Sequence, residues 1–316
     1  MLTPVTGGPN IPVTASCSIT ENAPSDALLV DASWSWNAPV IAPATAMVGG
    51  PQTPAIFTVT NSAHRVFGGL SVTKVFTGVG GLEPDAGIAG SWACTWDTSG
   101  TDSGRWMVPA AGGTTVLFSP ADERVPLTAD CTVIEDTLLP GDLVDGSYAW
   151  DTPTYVPAGG SSTLVAGGNT VTITNSTHRV YGGFQIRKEV VGTVDAGITY
   201  SGTYTCTHAG DPAVTANWSG LTVSSPVDID GILVGSSCSV TENWPPASPP
   251  VATDGSWVWT NHAVGDPAVV AVTARNAVTI TNTSQRVLGT FVIGKADLAG
   301  ASDGVVAGAT YSFDWT

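Results

Sequence analysis

The chain has 316 residues, 42% of them hydrophobic and only 11% charged, with 37 glycines, 22 prolines and a net charge of −16. That is enough apolar material for packed cores in two or three domains, which excludes a disordered chain. The acidic balance excludes nucleic acid and anionic membrane surfaces as partners, and no apolar run reaches the roughly eighteen residues a transmembrane helix needs.

The opening Met1-Leu2-Thr3-Pro4 lacks the basic start and apolar run of a signal peptide. Further on, Cys17-Ser18-Ile19-Thr20-Glu21 returns as Cys131-Thr132-Val133-Ile134-Glu135 and as Cys238-Ser239-Val240-Thr241-Glu242, at offsets of 114 and 107 residues. Next come paired aromatics: Trp34 and Trp36, then Tyr148 and Trp150, then Trp257 and Trp259. A longer string follows. It runs from Ile56 through Asn61 to Lys74, from Val171 through Asn175 to Lys188, and from Val278 through Asn282 to Lys295. Fixed-offset repetition of this kind marks a repeat architecture, with a unit of about 110 residues. The phase predicts four segments: 1–64 as the C-terminal part of one repeat, 65–178 and 179–285 as complete repeats, and 286–316 as the start of another. An aromatic stands two residues before a cysteine at Trp92/Cys94 and Tyr204/Cys206, and the chain stops at Trp315-Thr316, so it is expected to be a stretch of a longer repetitive protein.

Short Val/Ile/Thr/aromatic runs separated by Gly, Pro, Asp and Ser read as strands, for example Thr114–Phe118 and Leu221–Val223. No helical period of useful length is present. Many short strands in about 110 residues predict an all-β fold of tandem immunoglobulin-like β-sandwich domains arranged end to end. The short joint from Asn175 to Val180 predicts a stiff rod in which neighbouring repeats of the same chain are the nearest partners.

The five cysteines fall into the repeat pattern. Each complete repeat would hold one disulfide, Cys94–Cys131 and Cys206–Cys238, with Cys17 unpaired; buried free thiols are the alternative. Pairing at repeating positions implies an oxidising, extracytoplasmic setting. The cysteines lack the clustered ligands that zinc requires, so no metal or cofactor is expected.

Alternate side chains of a strand share a face. Lys74 shares one with Leu70 and Val72, Lys188 with Phe184 and Ile186, and Lys295 with Phe291 and Ile293. Asn175 and Asn282, and Glu135 and Glu242, likewise end runs of alternating apolar residues. The chain has only three lysines, all at this one repeat position, so they are not there for solubility. Burial favours the neutral amine of a lysine and the protonated form of a glutamic acid. A neutral amine is a nucleophile, a buried Glu can shuttle protons, and an Asn carboxamide in contact with both can be attacked with loss of ammonia. The product is a Lys–Asn isopeptide bond.

These motifs resemble the collagen-adhesin B-type (CnaB-like) repeats of Gram-positive surface proteins and pilins. They are similar in a still closer way to uncharacterised repeats of actinobacterial surface proteins. The resemblance implies an isopeptide cross-link between a first-strand Lys and a last-strand Asn, assisted by a Glu on a middle strand. By position that gives Lys74–Asn175 with Glu135, and Lys188–Asn282 with Glu242. Glu21 with Asn61, and Lys295, would have partners outside this sequence. Cys131 and Cys238 stand where many members carry an aromatic, a departure that marks a sub-type.

Rival readings are an unreacted buried Lys–Glu pair hydrogen-bonded to Asn, and glycosylation at the sequons of Asn175, Asn217 and Asn282. The recurring tryptophans Trp36, Trp150 and Trp259 read as core, whereas Trp244 has no counterpart and is expected at the surface. His64 and His178 read as joint contacts, and Asp228-Ile229-Asp230 is too short for a calcium loop. No catalytic triad, phosphate loop or HExxH motif is present, so the chain reads as a non-enzyme: a structural stalk of an adhesin-like protein of the cell surface or wall. The alternatives are an array binding a carbohydrate or host ligand, or an accessory region of an extracellular enzyme.

Overall fold

The structure is a computed structural model that describes residues 11–50, 52–78, 80–83, 87–109, 112–244, 255–294 and 312–316. Among these, strands and single 3-10 turns are the only regular elements. The first segment carries six short strands, β1 Ser16–Cys17, β2 Trp34–Trp36, β3 Val40–Ala42, β4 Ala46–Met47, β5 Thr58–Thr60 and β6 Ala63–Arg65. They pair as β1 with β4, β2 with β6 and β3 with β5.

Two immunoglobulin-like β-sandwiches follow in tandem. The first is built from β7 Leu70–Gly78, β8 Gly87–Trp96, β9 Gly100–Pro109, β10 Gly113–Phe118, β11 Asp130–Glu135, β12 Tyr148–Trp150, β13 Thr154–Val156, β14 Ser161–Thr163 and β15 Asn169–Arg179. One sheet has the order β10-β7-β15-β12, with β13 also on β15; the facing sheet is β14-β11-β8-β9. The second sandwich uses β16 Tyr181–Val191, β17 Tyr200–Thr207, β18 Val214–Leu221, β19 Val227–Leu233, β20 Ser237–Glu242, β21 Trp257–Val264, β22 Ala268–Val269 and β23 Ala277–Arg286. Its sheets are β19-β16-β23-β21 and β18-β17-β20-β22. The chain divides into two compact units. The first holds the residues up to Gly182 together with Leu233–Gly235 and Ala271–Thr273, and the second holds the rest.

Each sandwich has its own core, and its composition follows the two-residue period of the strands. Leu70, Val72, Val133, Val171 and Ile173 are buried in the first, and Phe184, Ile186, Val240, Val278 and Ile280 in the second. Trp150 and Trp259 are half-buried at the margin of these cores, and the Trp150 indole donates to Leu139 O.

The topology has one feature with consequences for the site. In both sandwiches the first strand lies beside the last and runs parallel to it, β7 against β15 and β16 against β23. A parallel pair cannot be joined by a hairpin, so it brings together residues from opposite ends of the domain sequence.

Two expectations about strands are corrected. Leu221 ends β18, and Thr222-Val223 belongs to a turn in which Ser225 N donates to Thr222 Oγ1, because the Ser-Ser-Pro sequence that follows interrupts the ladder. Residues 287–294, which repeat the sequence of β7 and β16, form no strand, and Phe291 and Val292 are exposed. Val287 N still donates to Ser256 O at 2.8 Å just beyond β23, but among the described residues 287–294 pair with no strand, and a strand needs a partner's backbone to satisfy its own. Lys295 lies outside the described residues.

Candidate functional site

The three side chains singled out by sequence meet inside each sandwich. Lys74 lies on β7 opposite Ile173 of β15, and Asn175 lies two residues further along β15 on the same face. Lys188 and Asn282 hold the same register, with Lys188 opposite Ile280. The long lysine side chain covers this diagonal. Glu135 and Glu242 reach the pair from β11 and β20 of the facing sheets.

In the first sandwich Lys74 Nζ stands 3.4 Å from Glu135 Oε1, with side chains 2% and 1% exposed. Lys74 Nζ also donates to Ile173 O at 3.3 Å, and Asn175 Nδ2 donates to Glu135 Oε1 at 3.0 Å. In the second, Lys188 Nζ donates to Glu242 Oε1 at 2.8 Å and Asn282 Nδ2 donates to the same oxygen at 3.2 Å. In both, the second Glu oxygen and the Asn carbonyl oxygen are buried without a hydrogen-bond partner. Among buried groups such orphans are rare, and here they recur at matching atoms.

The electrostatics follow from burial. Desolvation holds Lys74 below the ordinary lysine range against the pull of Glu135, and Lys188 likewise against Glu242. Desolvation raises Glu135, opposed by Lys74 and by the hydrogen bond from Asn175. In the first site burial thus favours a neutral amine and a neutral carboxyl over the ion pair.

The first segment pairs Asn61 Nδ2 with Glu21 Oε1 at 2.9 Å, but there both residues are exposed. The disulfides Cys94–Cys131 and Cys206–Cys238 are formed, each between directly opposed residues of neighbouring strands, and Cys17 is a free, half-buried thiol.

Of the secondary expectations, Trp244 is corrected: it is half-buried, stacked on His262 at 4.7 Å and edge-on to Trp259 at 5.8 Å. His178 is exposed and contacts Asp151 at 2.7 Å, while His64 is an exposed residue of β6. Asp230 pairs with Arg275 at 2.7 Å, which accounts for that acidic pair as an ion-pair site. Asn175 and Asn282 are buried, whereas Asn217 is exposed on β18.

Three elements of the site escaped the sequence reading. The register puts Gly90 opposite Glu135 and Gly202 opposite Glu242. Trp106 and Trp218 lie over these glycines, donating to Ser91 O at 3.3 Å and Thr203 O at 3.1 Å. A Cβ on Gly90 would stand 2.2 Å from Ile134 O and 2.4 Å from the Trp106 ring; on Gly202 it would meet Thr241 O at 1.9 Å. The pattern was visible, since Gly and Trp repeat at the same 112-residue offset as the first cysteines. Gly90→Ala is expected to destabilise the first sandwich by roughly 1–3 kcal/mol by displacing Trp106 or β11. An unchanged denaturation midpoint would show that the indole lid is not needed.

Second, each joint Arg folds back on the first of the paired aromatics in the repeat before it. Arg65 lies over Trp34 at 4.6 Å, Arg179 over Tyr148 at 4.2 Å and Arg286 over Trp257 at 5.9 Å. Arg65 and Arg179 also donate to the fully buried Ser33 and Ser147, and Arg65 pairs with Asp97. Third, Tyr200 enters the second site alone, its ring 4.2 Å from Lys188 Nζ.

With this geometry in place, comparison with known families gives three consecutive matches, over residues 3–64, 70–178 and 184–285, to the model described as Domain of unknown function (DUF5979). The chain belongs to the DUF5979 family. No curated protein matches it. Among solved structures it is similar to the Bacillus anthracis TIE protein, at 9% identity and a TM-score of 0.33, covering 76% of this chain and 40% of that one. It is similar to the major pilin of Streptococcus pyogenes at 13% identity and a TM-score of 0.25, covering 70% and 99%. A third is the minor pilin GBS52 of Streptococcus agalactiae, at 10% identity and a TM-score of 0.22, covering 71% and 99%. The chain spans less than half the length of the Bacillus anthracis protein.

Proposed function

We propose that these DUF5979 repeats form a structural stalk of an adhesin-like cell-surface or secreted protein of an actinobacterial cell. In this reading the complete domains, 65–178 and 179–285, are closed by the isopeptide bonds Lys74–Asn175 and Lys188–Asn282. Segments 1–64 and 286–316 are parts of further copies. The observation that supports it is the burial of one Lys–Glu–Asn triad between the parallel first and last strands of each sandwich.

The chemistry balances within the triad. Lys74 Nζ passes a proton to Glu135, and the neutral amine attacks Asn175 Cγ. A half-turn of the carboxamide places Oδ1 at the position of Nδ2, 3.0 Å from Glu135 Oε1, so the protonated acid can donate to the oxygen where negative charge develops. Glu135 then protonates the departing nitrogen, which leaves as ammonia, and the carboxylate so formed takes back the surplus proton from Nζ, so that the neutral Nζ–Cγ amide and a protonated Glu135 remain. Each site turns over once, so the chain is not an enzyme in the ordinary sense.

The mechanical consequence follows from topology. The chain enters each domain at its first strand and leaves from its last, and a bond between those two strands carries tension without unfolding the rest. The tryptophans that a sugar-binding array would present are, apart from Trp315, buried or half-buried among the described residues, which favours the stalk.

The test is intact mass of the reduced chain. Each complete domain should lack one ammonia, with one restored in Lys74→Ala and one in Lys188→Ala. A mass equal to the plain sequence would remove the bonds and leave a disulfide-braced sandwich.

A further inference from the structure

The two triads occupy the same register but have different surroundings. Two residues before Gly202, the glycine opposite Glu242, β17 places Tyr200; two residues before Gly90, β8 places Ile88. Tyr200 is 2% exposed, its hydroxyl is buried without a partner, and its ring is held edge-on to Trp259 at 6.4 Å. The Lys188 ammonium lies over the face of that ring at 4.2 Å and on Glu242 at 2.8 Å. In the first site the corresponding ion-pair distance is 3.4 Å, and Lys74 leans instead on Ile173 O and Val75 O.

An aromatic face attracts an ammonium through its quadrupole, most strongly where water is excluded, and holds a neutral amine far less. Attack on the carboxamide starts from the neutral amine. Stabilising the ion pair therefore lowers the ground state without lowering the transition state, and raises the barrier. The shorter ion pair in the second site acts in the same direction. Burial, together with the charge of Glu242, pushes the Tyr200 phenol up to about 12, so the ring stays neutral and does not serve as the base.

We infer that Tyr200 is a positioning residue that delays closure of the second domain, so that the cross-links of one chain form in order, Lys74–Asn175 before Lys188–Asn282. The inference rests on the Lys–Asn bond proposed above. Its consequence is a domain that can refold or rearrange after its neighbour has become covalently fixed.

The experiment follows closure in time. The full chain is made in an oxidising cell-free translation reaction, quenched at intervals in acidic denaturant, digested, and assayed by mass spectrometry for the two cross-linked peptides. The first-domain peptide should appear before the second. Tyr200→Ile should speed the second by about tenfold, the kinetic equivalent of one cation–π contact. Tyr200→Phe, which keeps the ring and loses the hydroxyl, should keep the wild-type rate. A merely structural role would give the opposite sign, because loosening the pocket slows closure. Tyr200→Leu provides a second aliphatic variant, and the Cys206–Cys238 peptide reports whether each variant folds. Equal rates in the two wild-type domains, a slower second domain in both aliphatic variants, or a Phe variant as fast as Ile would overturn the inference while leaving the bonds standing. Absence of both cross-linked peptides from every variant would overturn the bond reading and the inference with it.

Discussion

Lys74→Met is expected to cost the first sandwich about 4–5 kcal/mol, the loop-closure value for a cross-link spanning roughly 100 residues. The substitution keeps the length of the side chain and removes the nucleophile, so packing changes little and the lost term is the constraint on the unfolded chain. A second effect is shared by the wild type and the variant. Once Lys74 is consumed or replaced, its cation no longer stands beside Glu135, whose carboxyl is raised above its ordinary value of 4.5 chiefly by burial. A raised folded-state pKa gives stability that is fully present below 4.5 and is lost as pH rises through the folded value. Both proteins should therefore be most stable in mild acid, offset from each other by the cross-link. Adding Glu135→Leu to Lys74→Met should flatten the acid-side dependence and recover stability, because an apolar residue replaces a buried acid whose partner is gone. Hydrogen exchange of peptides from β7, β11 and β15 across a denaturant series reads this domain separately from the second. If Lys74→Met matched wild type at every pH, no covalent ring closes the first domain.

The residues of the triad could be read from the sequence because a strand's two-residue period assigns a face without any knowledge of the partner strand. Lys74 after Leu70 and Val72, Asn175 after Val171 and Ile173, and Glu135 after Cys131 and Val133 each followed that period, and each is buried where the period placed it. Sequence could not supply the relation between strands. That β7 lies parallel to β15, and that Glu135 arrives from the facing sheet, depends on pairings between residues about 100 apart. The same limit hid Gly90. Its meaning is that Trp106 and the Ile134 carbonyl occupy the space a side chain would take, and both come from other strands. Tyr200 was overlooked for another reason: repeats direct attention to what recurs, and this residue matters by differing from Ile88. Residues 287–294 mark the opposite failure: they carry the alternation of a strand, but a strand also needs a partner backbone, and among the described residues they pair with none.

Removing the first disulfide, as Cys94→Ala with Cys131→Ala, is expected to cost roughly 3–4 kcal/mol on the chain-entropy model for a bridge whose sequence separation is 37. Its position gives that loss a location. The bridge lies within the sheet β14-β11-β8-β9, between directly opposed residues of β8 and β11, while Lys74 and Asn175 lie in the other sheet. With the proposed Lys74–Asn175 bond each sheet would have its own staple, while the core, with Trp92 on Phe118 at 4.9 Å, and the Glu135 contact span the interface between them. Loss of the disulfide should therefore loosen β11 against β8 and leave the β7–β15 pair tied. Hydrogen exchange should rise in β8, β9 and β11 and stay low in β7 and β15. Wild type under reductant should reproduce the pattern, since both thiols are buried and an alanine pair leaves the strand register unchanged. Uniform loss of protection in both sheets would mean that the two staples are not separable. Unchanged protection in β8 and β11 would mean that the Trp92, Trp106 and Phe118 core holds that sheet without the bridge.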